Sequence, residues 1–238
     1  MHRTPPPSTQ PAGGDVREAA FARLLEEWAA ATPSLPTQLV DWTRAIERIA
    51  ADERALRARG AWVHGRDDLL GVLQAQRRET LHSALIAWLL DPCGTHGLGI
   101  RFLAAFAARV FPDDTFDGLD AARTSCELAR GPCRADIVIE LPAGTIVVEN
   151  KIDAVESPRQ CDILFEQFSD DGCRFVFLTP RGSPPSTASG DATRAFACLS
   201  YTAIKVMLRE ALAGTAAAPG RGRHVAEDYL RTLDREFR

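Results

Sequence analysis

Residues 145–154 read TIVVENKIDA, in which β-branched residues of the kind that fill a buried strand run directly into a carboxylate and a lysine two positions apart. Successive side chains of a strand alternate between faces, so Glu149 and Lys151 share one face while Val148 and Asn150 share the other. A buried sheet accepts charge only where a partner or a chemical task offsets the lost hydration. The preceding run, ADIVIEL at 135–141, supplies a candidate partner, since only Pro142, Ala143 and Gly144 separate it from Thr145 and these residues suit a tight hairpin. A turn on Pro142 and Ala143 sets Asp136 opposite Glu149. A bulge at Gly144 would move the register by one residue and still leave the carboxylates neighbours, because adjacent strands lie about 4.8 Å apart. Carboxylates at that spacing repel each other unless a cation lies between them. Oxygen donors of this kind favour magnesium or manganese, Mg2+ or Mn2+, with Asp136, Glu149 and the carbonyl of Asn150 as the expected ligands. Lys151 completes the set, because an ammonium beside the ion can orient, or help deprotonate, a bound water and stabilise the charge that develops during phosphodiester hydrolysis.

These residues, RAD ending at Asp136 and ENK at 149–151, resemble the signature of the PD-(D/E)XK, or restriction-endonuclease-like, nuclease superfamily, with Ala135 in place of the pattern proline. The likeness extends to ETLHSALIAWLLDPCGTHGLGIRFL at 79–103, similar to the helical front of one branch in which a Glu-x-x-His-Ser helix and a His-Gly turn precede the core. It implies an α/β fold with an αβββαβ core and a mixed central sheet of four or five strands flanked by helices. It also implies that Glu79 is a helix-borne third acidic residue that helps hold the metal directly or through water, and that Gln160, on the helix after the active strand, is a polar residue near the metal water or phosphate. The implied activity is metal-dependent nuclease action, with DNA as the expected partner and RNA left open, in the setting of bacterial defence and with a homodimer or a defence-system protein as a further partner. The alternative is a catalytically weak module of the same fold that binds nucleic acid or protein.

Working outward, the first 15 residues are rich in Pro, Ser, Thr and Gly and read as a loose tail. Residues 16–65 are expected to form a helical extension, from DVREAAFARLLEEWAAA and from PTQLVDWTRAIERIAADERALRARG up to Gly60, and 66–238 the nuclease-like domain. Within the latter, helices are expected over DDLLGVLQAQ, over the run that Pro92 stops and over GLGIRFLAAFAARVF, followed by a strand at RTSCELAR. After the hairpin come a helix with Ser157 as its N-cap, a strand at CRFVFLTP, a loop over 182–193, a last strand at FACLSY and helices near 202–213 and 223–236. The RGR at 221–223 reads as a loop feature.

Composition sets outer bounds. With 238 residues, 45% hydrophobic and 25% charged, the chain reads as one well-cored domain with additions. No apolar run approaches the roughly 18 residues needed to cross a bilayer, and MHRTPPPSTQPAGGD lacks the apolar core of a secretory signal, so a cytoplasmic protein is expected. Six irregularly spaced cysteines form no C-x-x-C pair and read as reduced, mostly buried thiols. A formal net charge of −4 leaves nucleic-acid binding to a local patch, for which Arg77, Arg78, Arg130, Arg134, Arg159 and Arg181 are the candidates. His82 could equally serve the site or the core, whereas His96 reads as a turn-fixing residue.

Overall fold

The computed structural model describes residues 14–31, 41–169, 172–214 and 220–238. Most of the expected tail, and the first residues of the stretch expected to form the second helix, lie outside them. The chain divides into two compact units at the junction of His64 and Gly65. In the first unit, α1 (Gly14–Ala31) carries exposed Phe21, Leu24, Leu25 and Trp28, and α2 (Trp42–Ala58) carries exposed Trp42, Ile46 and Ile49. Asp41 caps α2 by accepting the Arg44 backbone N–H at 3.1 Å.

The second unit is built on five strands, β1 (Arg123–Arg130), β2 (Cys133–Leu141), β3 (Gly144–Asn150), β4 (Arg174–Thr179) and β5 (Phe196–Ser200), lying side by side in chain order. The first three form an antiparallel meander, and β3, β4 and β5 are parallel. The sheet is therefore mixed, as expected. The hairpin register is the one that a turn on Pro142 and Ala143 dictates, with Leu141 paired to Gly144 and Ile137 to Val148. Gly144 is required at that turn, because a Cβ there would lie 2.4 Å from the Gly172 carbonyl oxygen.

Both faces of the sheet are covered, which explains why IVV shows no polar alternation. On one face, α4 (Glu79–Leu90), α5 (Arg101–Val110), α8 (Tyr201–Ala213) and α9 (Arg221–Glu236) bury Ile137, Ile139, Ile146, Val148, Val176 and Leu178. On the other, α6 (Gln160–Phe168) and the single turn α7 (Ala192–Ala195) cover Val138, Val147, Phe175 and Phe177. The short α3 (Leu69–Val72) is held to α9 through Asp68, which accepts the Thr232 hydroxyl at 2.7 Å. Among the described residues no helix is long and apolar enough to cross a membrane.

Four expectations are corrected. Helix α6 starts at Gln160 and not behind a Ser157 cap, because Arg159 takes a left-handed φ of 57° and interrupts the helical path. The loop over 182–193 contains the start of α7, and residues 221–223 open α9 instead of forming a loop. The cysteines are unbridged but not mostly buried. Cys161 alone is buried, whereas Cys126 and Cys198 stand exposed on the two edge strands and Cys93 in a turn.

Candidate active site

The site forms where the meander comes apart. Asp136 drops out of both ladders, since the β1–β2 pairing passes from Cys126↔Ile137 to Leu128↔Ala135 and the β2–β3 pairing ends at Ile137↔Val148. Its carboxylate substitutes for the lost strand partner by accepting the Asn150 backbone N–H at 2.7 Å. Glu149, the last residue but one of β3, therefore has a carboxylate next to it, on the face that α6 covers.

Glu149 is 1% exposed. Its Oε1 accepts Lys151 Nζ at 2.6 Å and Gln160 Nε2 at 2.5 Å, while its Oε2 is buried with no hydrogen-bond partner. Gln160 is oriented from behind, because its Oε1 accepts the Ser157 backbone N–H at 3.0 Å. Burial, then the charge of Asp136, push the Glu149 carboxyl up to about 7 against the pull of Lys151. Burial likewise raises the Asp136 carboxyl, opposed by the Asn150 N–H and by Lys151. For Lys151 burial favours the neutral amine, but the charges of Glu149 and Asp136 together hold its pKa above the ordinary lysine value. In this arrangement the lysine is held as an ammonium donor to Glu149. Its Nζ also lies 3.4 Å from the Asn150 carbonyl oxygen, which places that oxygen at the site.

The Asn150 side chain points into the opposite face and is fully engaged. It donates to the Glu79 carbonyl at 3.2 Å and to Ser83 Oγ at 3.0 Å, and it accepts the Tyr201 hydroxyl at 2.9 Å. It locks the end of β3 to α4 and α8. Glu79 stands across the cleft and has structural work of its own, because its Oε1 accepts the backbone N–H groups of Ile152, Asp153 and Ala154 at 2.7, 3.1 and 3.0 Å. This carboxylate holds the loop that follows Lys151 while forming part of the wall.

Together Glu79, Asp136, Glu149, Lys151 and Gln160 line one cleft of about 380 Å³, so the structure brings the expected residues to one place. His82 is not among them. It sits in the core with Nε2 on the Gln76 carbonyl at 2.9 Å and Nδ1 on the Tyr229 hydroxyl at 2.8 Å, and burial keeps its pKa low. His96 fixes a turn, as expected, bonding the Asp91 carbonyl at 2.8 Å and accepting the Leu98 N–H at 2.9 Å.

The arginines do not form a free basic cluster. Arg77 pairs with Asp153, Arg134 with Glu127, and Arg159 with Glu166, while Arg130 stacks over Phe168 at 4.4 Å. Among the described residues Arg78 and Arg181 make no ion pair and are exposed.

Glu127 is the residue that sequence reasoning missed. It lines the cleft, its Oε2 accepts Arg134 Nε at 2.7 Å, its Oε1 is buried without a partner, and its φ is 55°. A non-glycine residue in that region costs on the order of 1–3 kcal/mol, which the surrounding structure must impose. A signal was present, because a turn on Gly131 and Pro132 sets Glu127 opposite Asp136.

The donors fit a hard divalent cation. They are oxygens throughout, and the orphaned Glu149 Oε2 beside Asp136 is an acceptor without a donor. Among the described residues no group of three or more His, Cys, Asp and Glu side chains comes together closely enough to cage an ion.

Residues 67–231 match the family model of the PD-(D/E)XK nuclease superfamily. The chain belongs to that superfamily, with its restriction-endonuclease-like α/β fold, and is a nuclease by family. No curated protein and no solved structure matches it significantly.

Proposed function

We propose that the chain is a divalent-metal-dependent phosphodiester hydrolase acting on DNA. The observation that carries this reading is the Glu149 carboxylate, 1% exposed, pushed up to about 7, and left with an unpartnered oxygen in a cleft that also holds Asp136 and Lys151. A merely structural carboxylate would not be buried half-satisfied. In this reading Asp136, Glu149 and the Asn150 carbonyl hold Mg2+ or Mn2+, which when bound supplies Lewis-acid stabilisation of the phosphate oxygens and a more acidic water. Lys151 positions the attacking water and donates to the charge that develops in the transition state. Gln160 holds Glu149 Oε1, leaving Oε2 to the ion. Glu79 holds the 152–154 loop against the cleft and reaches the ion through water.

The finer reading follows the same line. Arg78 and Arg181 are cations free to meet phosphate, and the unbridged cysteines suit the reducing cytoplasm. Glu79, His82 and Ser83, which tie α4 to the loop, the core and Asn150, support placement in the Glu-x-x-His-Ser branch. A role in defence against foreign DNA, with a second copy or a defence-system protein as partner, completes the proposal and rests on the resemblance. The test is incubation of the purified protein with supercoiled plasmid, linear duplex, single strands and RNA, each with Mg2+, Mn2+ or EDTA. Cleavage of DNA that EDTA stops is the expected result. Binding without cleavage under every condition would favour the alternative, a nuclease-fold binding module.

A further inference from the structure

The carboxylates that frame the cleft are not equally explained by the family signature. Asp136 and Glu149 belong to it, whereas Glu127 lies on β1, where the β1–β2 ladder skips both Glu127 and Asp136. The two face each other across that opening. Glu127 Oε2 is bound to Arg134, an exposed residue at the mouth of the cleft, while its Oε1 is buried and has no hydrogen-bond donor. A second observation points to a ligand here, since Glu149, 1% exposed and lining the same cleft, also has an oxygen without a partner. Two orphaned carboxylate oxygens around one cavity call for something that supplies donors to both. With Oε2 already held by Arg134, Glu127 has a single oxygen, Oε1, to offer. A water carried by the ion suits that oxygen, because it donates hydrogen bonds outward to an acceptor that the metal itself does not touch.

We propose that Glu127 is a positioning residue of the cation site, its Oε1 accepting a hydrogen bond from water on a divalent ion held by Asp136 and Glu149, and its Oε2 keeping Arg134 at the mouth. The strained backbone at Glu127 is then what aims Oε1 at the ion's water. The inference rests on the metal-dependent reading given above and adds to it a residue outside the signature.

The experiment measures Mn2+ binding to the full chain by titration calorimetry, without nucleic acid, for wild type, Glu127→Gln, Arg134→Gln and Asp136→Asn. Losing a residue that orients a ligand from the outer shell typically weakens metal affinity about 10- to 100-fold. Glu127→Gln is expected to weaken Mn2+ binding about tenfold or more, Arg134→Gln to stay within about twofold of wild type, and Asp136→Asn to lose binding. The arginine variant separates the two roles of Glu127, since it removes the ion pair and leaves the carboxylate. Should the glutamine variant show no cooperative melting transition, Glu127→Gly replaces it, because glycine accepts the positive φ, and the same loss is expected. Wild-type affinity in the Glu127 variant, or equal weakening in the Arg134 variant, overturns this proposal while leaving the metal-dependent reading intact. If wild type itself binds no Mn2+, the cation reading fails and this inference falls with it.

Discussion

Asp68 and Glu149 are both fully buried carboxylates, and they behave in opposite ways. Asp68 is 0% exposed, and burial alone would raise its pKa, yet it falls to about 2 because Arg66, Thr232 and the Gly71 N–H all donate to it. Arg66 reaches its two oxygens at 2.8 and 3.1 Å. Glu149 is as deeply buried, has one saturated and one bare oxygen, faces Asp136, and is pushed up to about 7. Loss of solvent-accessible surface by itself does not separate a satisfied carboxylate from a half-satisfied one. The count of donors against the count of nearby like charges does. Asp68 joins α3 to α9 and is satisfied, whereas Glu149 keeps an oxygen unsatisfied, which the proposed cation would take up.

The comparison is broken most easily by truncation. Removing an electrostatic stabiliser typically costs about 10² to 10³ in rate, so Lys151→Ala and Glu149→Ala should each reduce cleavage by that factor with an unchanged circular dichroism spectrum. Asp68→Ala should do the reverse. Taking one partner from a buried ion pair costs about 3 kcal/mol, which denaturant titration would show, while Mn2+ affinity stays at the wild-type value. A Glu149 variant that cleaves at the wild-type rate, or an Asp68 variant as stable as wild type, would erase the distinction.

The pH dependence sharpens it. The Glu149 carboxyl is raised above its ordinary value, so the folded state holds that proton more tightly than the unfolded state does. Its stabilising contribution is complete below the ordinary carboxyl range and is lost as pH rises through about 7. The buried imidazoles of His82 and His96, whose pKa values burial lowers, act in the opposite sense and are common to all variants. The melting temperature of wild type minus that of Glu149→Gln, both in EDTA, should therefore fall between about pH 5 and about pH 8, by the equivalent of at most about 3 kcal/mol. A flat difference would show that the carboxyl titrates normally.

A smaller effect is expected at Asp136. An asparagine oxygen can still accept the Asn150 N–H while removing the repulsion with Glu149. Asp136→Asn should then melt above wild type in EDTA, by about 0.5 to 2 kcal/mol. Millimolar Mg2+ or Mn2+ should raise wild type more than the variant, so that the two curves converge. A lower melting temperature in EDTA, with equal metal shifts in both proteins, would make Asp136 a strand cap.

The most legible part of this protein was local. A strand has a side-chain period of two and a two-residue turn admits one register, so TIVVENKI and PAG by themselves were enough to set Asp136 against Glu149. The order of helices and strands followed from local periodicity, and the mixed sheet was implied by the resemblance of RAD and ENK to the superfamily signature. What only the tertiary structure decided involves partners far apart in the chain or sums over many charges. His82 is a core residue because the Tyr229 hydroxyl, 147 positions away, satisfies it. Three of the six arginines that looked like a phosphate patch, Arg77, Arg134 and Arg159, are occupied by Asp153, Glu127 and Glu166, each placed by folding. The β1–β2 turn sets Glu127 opposite Asp136, but its left-handed backbone and unpartnered oxygen exist only in the fold, and the charge state of Glu149 is a balance of burial, Asp136 and Lys151 that exists only once the strands have met. Sequence determines pattern because periodicity and turn length act between near neighbours, and the fold determines reactivity because desolvation and Coulomb energy depend on everything the chain brings close.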